Sequence, residues 1–194
     1  MVLPGFGASD PLMAPLRWYL GQLGYVPLPW GIGRNRGRPE RDAERIVKRI
    51  EGLDVGPMHL VGWSLGGVVA RLVARALPER VAQVITLGSP VEGGPKYTSA
   101  ARWFRKSLDL DAFEEHVHAI NSEGLQVPVT AIYSTSDAIV GWRAAIDRYN
   151  PHTRHLQLRT ASHVGLPYNP RVWAKIAQTL AAPPRPARLG CTGA

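Results

Sequence analysis

Short apolar runs alternate along the chain with stretches whose apolar residues recur every three or four positions, the pattern of strands followed by amphipathic helices. Asp10 to Leu23 places Leu12, Leu16, Tyr19, Leu20 and Leu23 on one helical face, with Ser9 or Asp10 as cap and Pro11 in the first turn. Pro39 to Ile50 repeats the logic, turning Ala43, Ile46, Val47 and Ile50 inward and its charges outward, and Gly52 ends it. Met58 to Val61 reads as a strand that enters a tight turn at Gly62. The apolar face of Leu65, Val68, Val69, Leu72, Val73 and Ala76 then continues as a helix to Pro78. Val81 to Leu87, Val127 to Tyr133 and His155 to Arg159 are further strands, and Asn169 caps a last helix that Pro170 opens and Leu180 closes. This order predicts an α/β fold with a mostly parallel central sheet of about six strands flanked by helices.

A single domain over residues 1–180 is expected, with a cap or lid-like insertion at about 89–124 and a mobile tail at 181–194, where three prolines fall without apolar period. Within the insertion, Ala100 to Ser107 and Asp111 to Ile120 have helical character. Only Met1 to Leu3 precede the first turn, so the first strand should be stubby, and residues added upstream should raise the midpoint of thermal unfolding.

The 194 residues are 45% apolar and 20% charged, which excludes disorder throughout. The lone Cys191 excludes an internal disulfide and a cysteine metal cluster. A formal charge of +8 raises the question of nucleic acid or anionic surfaces. Its densest stretch, Arg34, Arg36, Arg38, Arg41, Arg45, Lys48 and Arg49, has no interleaved aromatics and shares its second half with Glu40, Asp42, Glu44 and Glu51, so it reads as a solvated loop and helix face. No nucleic-acid partner and no stable membrane insertion are expected, since no run approaches the roughly 18 apolar residues of a span. No basic segment followed by an apolar one opens the chain, so a cytoplasmic location is expected, with secretion of a longer precursor left open. The sequence leaves the oligomeric state undetermined.

Gly62-Trp63-Ser64-Leu65-Gly66 is a G-x-S-x-G motif between an apolar strand and an amphipathic helix. The apex of such a turn forces a side chain into strained backbone, and flanking glycines remove the Cβ atoms that would collide there. No lysine follows to meet a phosphate, so a nucleotide loop is the weaker reading. A serine hydroxyl needs an imidazole to take its proton and a carboxylate to orient that imidazole. Both must leave the carboxyl ends of their strands, where open α/β sheets bind ligands. His163 and Asp137 meet that condition. His59, His116, His118, His152 and His155 fall within a strand, in the insertion or at the wrong strand end, and Asp109, Asp111 and Glu92 are weaker acids for the role.

With those residues in place the chain resembles the α/β-hydrolase family, its small lipase and esterase members in particular, over nearly its whole length. Val2-Leu3-Pro4-Gly5-Phe6-Gly7 is similar to their first strand and oxyanion loop, Leu87-Gly88-Ser89-Pro90 to the segment after their next strand, and Ser162-His163-Val164-Gly165-Leu166 to their histidine loop. The family order of nucleophile, acid and histidine is met by Ser64, Asp137 and His163. Two backbone donors, each worth roughly 3 to 4 kcal/mol, should hold the oxyanion. Leu65 supplies one as the residue after the nucleophile, and the resemblance assigns the second to Phe6, although many relatives carry His-Gly where Pro4-Gly5 stands.

The activity this implies is hydrolysis of carboxylic esters, from small molecules or lipids, through an acyl-enzyme on Ser64, with no metal and no cofactor. Acyl transfer, thioester cleavage and amide cleavage use the same groups and stay open, as does a non-catalytic binding protein on a hydrolase scaffold. Trp63, Tyr97, Trp103, Phe104 and Trp142 are candidate substrate-binding residues, with core packing an equal reading for Trp63 and Trp142. Ala101 to Lys106 sets aromatic residues between basic ones as a surface-seeking lid does, but a solvated helix covering the pocket without regulated motion is the preferred reading.

Overall fold

The computed structural model describes residues 1–92, 94–99 and 110–182. Five parallel strands form the sheet in the order β1 (Val2–Leu3), β2 (Met58–Trp63), β3 (Val81–Leu87), β4 (Val129–Ser134) and β5 (Arg154–Leu158). Beside β1, Val2 also makes a single parallel bridge to Pro29, its N–H donating to Leu28 O at 2.9 Å. A proline has no N–H to continue a ladder, so this sixth position stays one bridge wide.

Strand alternation divides the core. Leu3, Leu60 and Val84 face α2 (Pro39–Glu51) and α3 (Leu65–Ala76), against Ile46, Ile50, Val69 and Val73. Val2, Val61, Ile85 and Ile132 face the other way, against Leu16 and Leu20 of α1 (Ala14–Gln22) and Ile176 of the last helix. The register puts the carboxyl ends of β2, β3 and β4 side by side, with Trp63 opposite Leu87 and Leu87 opposite Ile132.

The first helical segment differs from its sequence pattern. Asp10–Met13 is a 3-10 turn, which rotates Met13 rather than Leu12 into the core and leaves Leu12 and Leu23 exposed. Asp10 caps nothing there; its carboxylate accepts from the N–H groups of Trp30 and Gly31, at 3.0 and 3.1 Å. Of the insertion, the 3-10 turn Gly94–Tyr97 and helix α4 (Leu110–Ser122) are described, and the expected helix 100–107 lies outside the described residues. Lys96 joins the two, pairing with Asp111 at 2.6 Å and Glu114 at 2.5 Å. The final helix, α5 (Pro170–Ala181), is capped by Asn169, which accepts from the Arg171 N–H; the expected tail beyond residue 182 is outside the description. No described helix is long and apolar enough to cross a membrane.

Candidate active site

Ser64 stands between the end of β2 and the start of α3 with φ +53° and ψ −125°, the only non-glycine at positive φ among the described residues. Backbone of that kind costs of order 1–3 kcal/mol and is held only where its surroundings fix it. Two bonds fix it here: the Ser64 N–H donates to Leu87 O at 2.8 Å, and Gly67 N–H donates to Ser64 O at 2.9 Å. The motif glycines are required sterically, because a Cβ on Gly62 would overlap Gly66 O and a Cβ on Gly66 would overlap the carbonyls of Leu3 and Pro4.

Asp137 leaves β4 and His163 leaves β5, and the two side chains meet, His163 Nδ1 lying 2.7 Å from Asp137 Oδ2 with only 5% and 2% of the side chains exposed. A carboxylate only accepts, so Nδ1 carries the proton and Nε2 is left as the accepting nitrogen. The other Asp137 oxygen accepts from Ile139 and Val140 N–H at 2.9 and 2.8 Å, which fixes the carboxylate independently of the imidazole. Trp63, the neighbour of Ser64, donates from Nε1 to His163 O at 3.1 Å and lays its ring 5.6 Å from the imidazole. The acid, the imidazole and the serine turn thus share one edge of the sheet.

Gly88, directly after β3, makes room for this edge. At φ +55° its Cβ would lie 3.0 Å from Asp137 Oδ2, 3.3 Å from His163 Nδ1 and 2.6 Å from Leu166 Cδ1. The sequence marks it as part of the Leu87-Gly88-Ser89-Pro90 segment but not for this role. Asn35 is a residue the sequence left unmarked. Fully buried, it donates from Nδ2 to Pro4 O at 2.9 Å, accepts the Gly7 N–H on its carbonyl at 2.8 Å and donates its own N–H to Ala8 O at 2.9 Å. It therefore clasps both ends of the Pro4–Ala8 loop, whose Gly5 packs against Ser64 Cβ and the Trp63 ring.

Ser64, Leu65 and Phe6 open onto a cleft of about 410 Å³. It follows α3 past Val68 and Leu72 to Arg75, a length of about 16 Å at the helical rise of 1.5 Å per residue, with Val117 and Ile120 of α4 on its wall. Among the described residues its lining is mainly aliphatic, with Phe6 the one aromatic. Trp63 packs on His163, Tyr97 donates its hydroxyl to Glu114 at 2.6 Å, and Trp142 stacks on Tyr133; none of the three borders the cleft. Trp103 and Phe104 lie outside the described residues. The weaker acids are engaged elsewhere, Asp111 with Lys96 and Glu92 with Arg148, while Asp109 is outside the description. Of the other histidines, His59 lies within β2, His155 accepts from Asp147 N–H, and His118 contacts Tyr149. No described group of His, Cys, Asp and Glu could hold a metal ion.

On the wall of the cleft, Arg71 of α3 and Asp147 form a second buried pair at 2.6 Å, with 3% and 0% of the side chains exposed. Burial alone would push the Asp147 carboxyl up, but the Arg71 charge and bonds from Asn150 and Thr153 outweigh it and hold its pKa below the usual range.

Comparison with known proteins gives a consistent assignment. The profile of the alpha/beta hydrolase fold matches residues 3–114. A pimeloyl-[acyl-carrier protein] methyl ester esterase of Citrobacter koseri is 35% identical over 106 residues, 53% of this chain and 40% of that protein. One from Sodalis glossinidius is 34% identical over 82 residues, 42% of this chain and 30% of that protein. The chain thus spans less than half the length of these curated relatives. Among solved structures, mouse alpha/beta hydrolase domain-containing protein 10 superposes with a TM-score of 0.68 at 19% identity, over 92% of this chain and 88% of that one. A monoacylglycerol lipase of Paleococcus ferrophilus gives 0.66 at 18% identity, over 92% and 90%. At such identities the superpositions establish the fold.

Proposed function

The chain belongs to the alpha/beta hydrolase family, and from that premise we propose that it hydrolyses carboxylic esters through an acyl-enzyme on Ser64. The observation that carries the reading is the buried 2.7 Å bond between Asp137 and His163 at the sheet edge where Ser64 is held at positive φ. His163 Nε2 takes the Ser64 proton during attack on the ester carbonyl and returns it to the leaving alcohol. It then activates water to release the acid, while Asp137 holds the imidazole and balances its charge. The tetrahedral oxyanion is held by the backbone N–H of Leu65, at the positive end of α3, and by that of Phe6. The acyl chain lies along α3 between Val68, Leu72 and the α4 side chains.

The curated relatives' names specify a methyl ester on a carrier-bound acyl chain, so acyl methyl esters belong in the substrate panel. The test is hydrolysis of a chain-length series of p-nitrophenyl esters by the parent and by Ser64→Ala, with an active-site phosphonate as label. Ser64→Ala should lose at least about 10³-fold in kcat and fail to label. A smaller loss removes Ser64 as nucleophile. An added alcohol competing with water during turnover would separate acyl transfer from hydrolysis.

A further inference from the structure

The arginines that read as a solvated face converge in three dimensions. Gly33 and Gly37, at φ +90° and +78°, turn the loop back on itself, and Arg34, Arg36 and Arg38 join Arg41 and Arg45 of α2 around one concavity of about 320 Å³. Among the described residues Asp42 is the only acid lining it. Its Oδ2 has no hydrogen-bond partner, and its nearest guanidinium, that of Arg45, stands 3.8 Å away. Arg34, Arg36, Arg38 and Arg41 make no ion pair within the described residues. Arg45, Arg41 and Arg38 act electrostatically on the Asp42 carboxylate, so five guanidinium groups share one lining carboxylate and leave four positive charges in excess around the concavity. Such an arrangement costs electrostatic repulsion and has the donor geometry for an oxyanion of more than one charge, since each guanidinium can present two parallel N–H groups.

The position of the concavity gives it meaning for the reaction. Gly37, Pro39 and Glu40, interleaved with these arginines, line the acyl cleft. A Cβ on Gly37 would lie 3.0 Å from the Phe6 ring, and Phe6 follows Gly5, which packs on Ser64. The turn 36–41 therefore stands at the Ser64 end of the cleft, away from the run of α3 that receives the acyl chain. The concavity thus adjoins the Ser64 end of the cleft through the turn 36–41.

We propose that the concavity lined by Arg34, Arg36, Arg38, Arg41 and Arg45 binds a phosphate group carried on the alcohol side of the substrate, so that the preferred esters are those of phosphate-bearing alcohols. The proposal rests on ester hydrolysis at Ser64 for its kinetic half only; phosphate binding is measured separately.

The experiment compares 1,4-butanediol monobutyrate with its 4-phosphate, together with inorganic phosphate as a free anion. The parent should prefer the phosphorylated ester by about tenfold or more in kcat/KM at low salt, expressed mainly in KM, and the preference should shrink as salt is raised. In Arg38→Gln/Arg41→Gln, and independently in Arg34→Gln/Arg36→Gln, the ratio should fall toward one. Inorganic phosphate should inhibit the phosphorylated ester competitively. Its binding, followed by calorimetry, should weaken in both double variants, and this readout survives even if no ester is turned over. A parent ratio near one, or a ratio unchanged in both double variants, overturns the proposal. Phosphate binding without any preference between the two esters also overturns it, by showing a site for free anion unconnected to the substrate.

Discussion

Asp137 and Asp147 lie on the same connection between β4 and β5, each almost fully buried, and each bends back to accept two N–H groups from residues just downstream. For Asp137 the donors are Ile139 and Val140; for Asp147 they are Tyr149 and Asn150, at 3.1 and 3.2 Å. The partner on the second oxygen is what separates them. Asp147 Oδ2 is fully engaged by Arg71, the Asn150 side chain and Thr153, at 2.6, 2.6 and 3.0 Å. A guanidinium never releases its proton at working pH, so this pair is a fixed strut between α3 and the loop before β5. Asp137 Oδ2 faces an imidazole, whose other ring nitrogen is left to accept a proton. One local clasp therefore serves either an immobile charge or a mobile one, and placement at a strand's carboxyl end decides which.

The largest expected effect tests the mobile pair. Asp137→Asn should lower kcat by about 10⁴-fold, because the amide lets the wrong tautomer form, while the unfolding midpoint in urea stays close to the parent's. Arg71→Met should do the reverse. It strands the Asp147 charge in the interior, at a cost of about 3–5 kcal/mol of stability, and should leave turnover of the folded fraction within a few-fold. Replacing both partners, Arg71→Met with Asp147→Leu, should recover much of that loss. Turnover abolished by Arg71→Met in protein that is still folded, or preserved in Asp137→Asn, would erase the distinction.

The mobile pair was legible because chemistry ties it to countable positions: a serine between two glycines after a strand, then an acid and a histidine a few residues past later strands. The strut was not. Arg71 falls in a helix whose periodicity put Leu65, Val68, Val69, Leu72 and Val73 on one inward face. In the fold that face divides: Val69 and Val73 meet the sheet-side core, while Leu65, Val68 and Leu72 line the cleft. Periodicity reports that a residue is covered and not by what. The same limit left Trp63 and Trp142 open between pocket and packing, and both make ring contacts, with His163 and with Tyr133. Arg34 to Arg45 escaped because their convergence depends on two left-handed glycine turns, a feature of backbone rather than of charge order.

A smaller effect sharpens the comparison at a third site, the Pro4–Ala8 loop, which holds one proposed oxyanion donor and is itself held by Asn35. Asn35→Ala removes the bonds to Pro4 O and from Gly37 N–H but keeps the two main-chain bonds. The loop should stay in place on average and lose definition. We expect kcat to fall by about 10- to 100-fold, less than deletion of an oxyanion donor itself, with KM within about twofold. Steady-state kinetics on a p-nitrophenyl ester measure the split. Equal changes in kcat and KM would make Asn35 a binding or folding residue only.

The smallest effect concerns acid stability and belongs to the strut. The pKa of Asp147 is lower in the folded protein than in the unfolded chain, where a free aspartate titrates near 3.9. Its contribution to stability is therefore complete above about pH 4 and is lost as pH falls through the lower folded value, where folded and unfolded states both bind the proton. In that window one differential proton steepens the stability curve by at most about 1.4 kcal/mol per pH unit. Urea unfolding between pH 2.5 and 5 should show a shallower acid slope for Asp147→Asn than for the parent, with the two curves parallel above pH 5. In that variant the amide oxygen can still accept from the Tyr149 and Asn150 N–H groups but carries no charge, so the difference in slope isolates the charge held by Arg71. Parallel curves throughout would mean that Arg71 does not favour the ionised carboxylate over the neutral one.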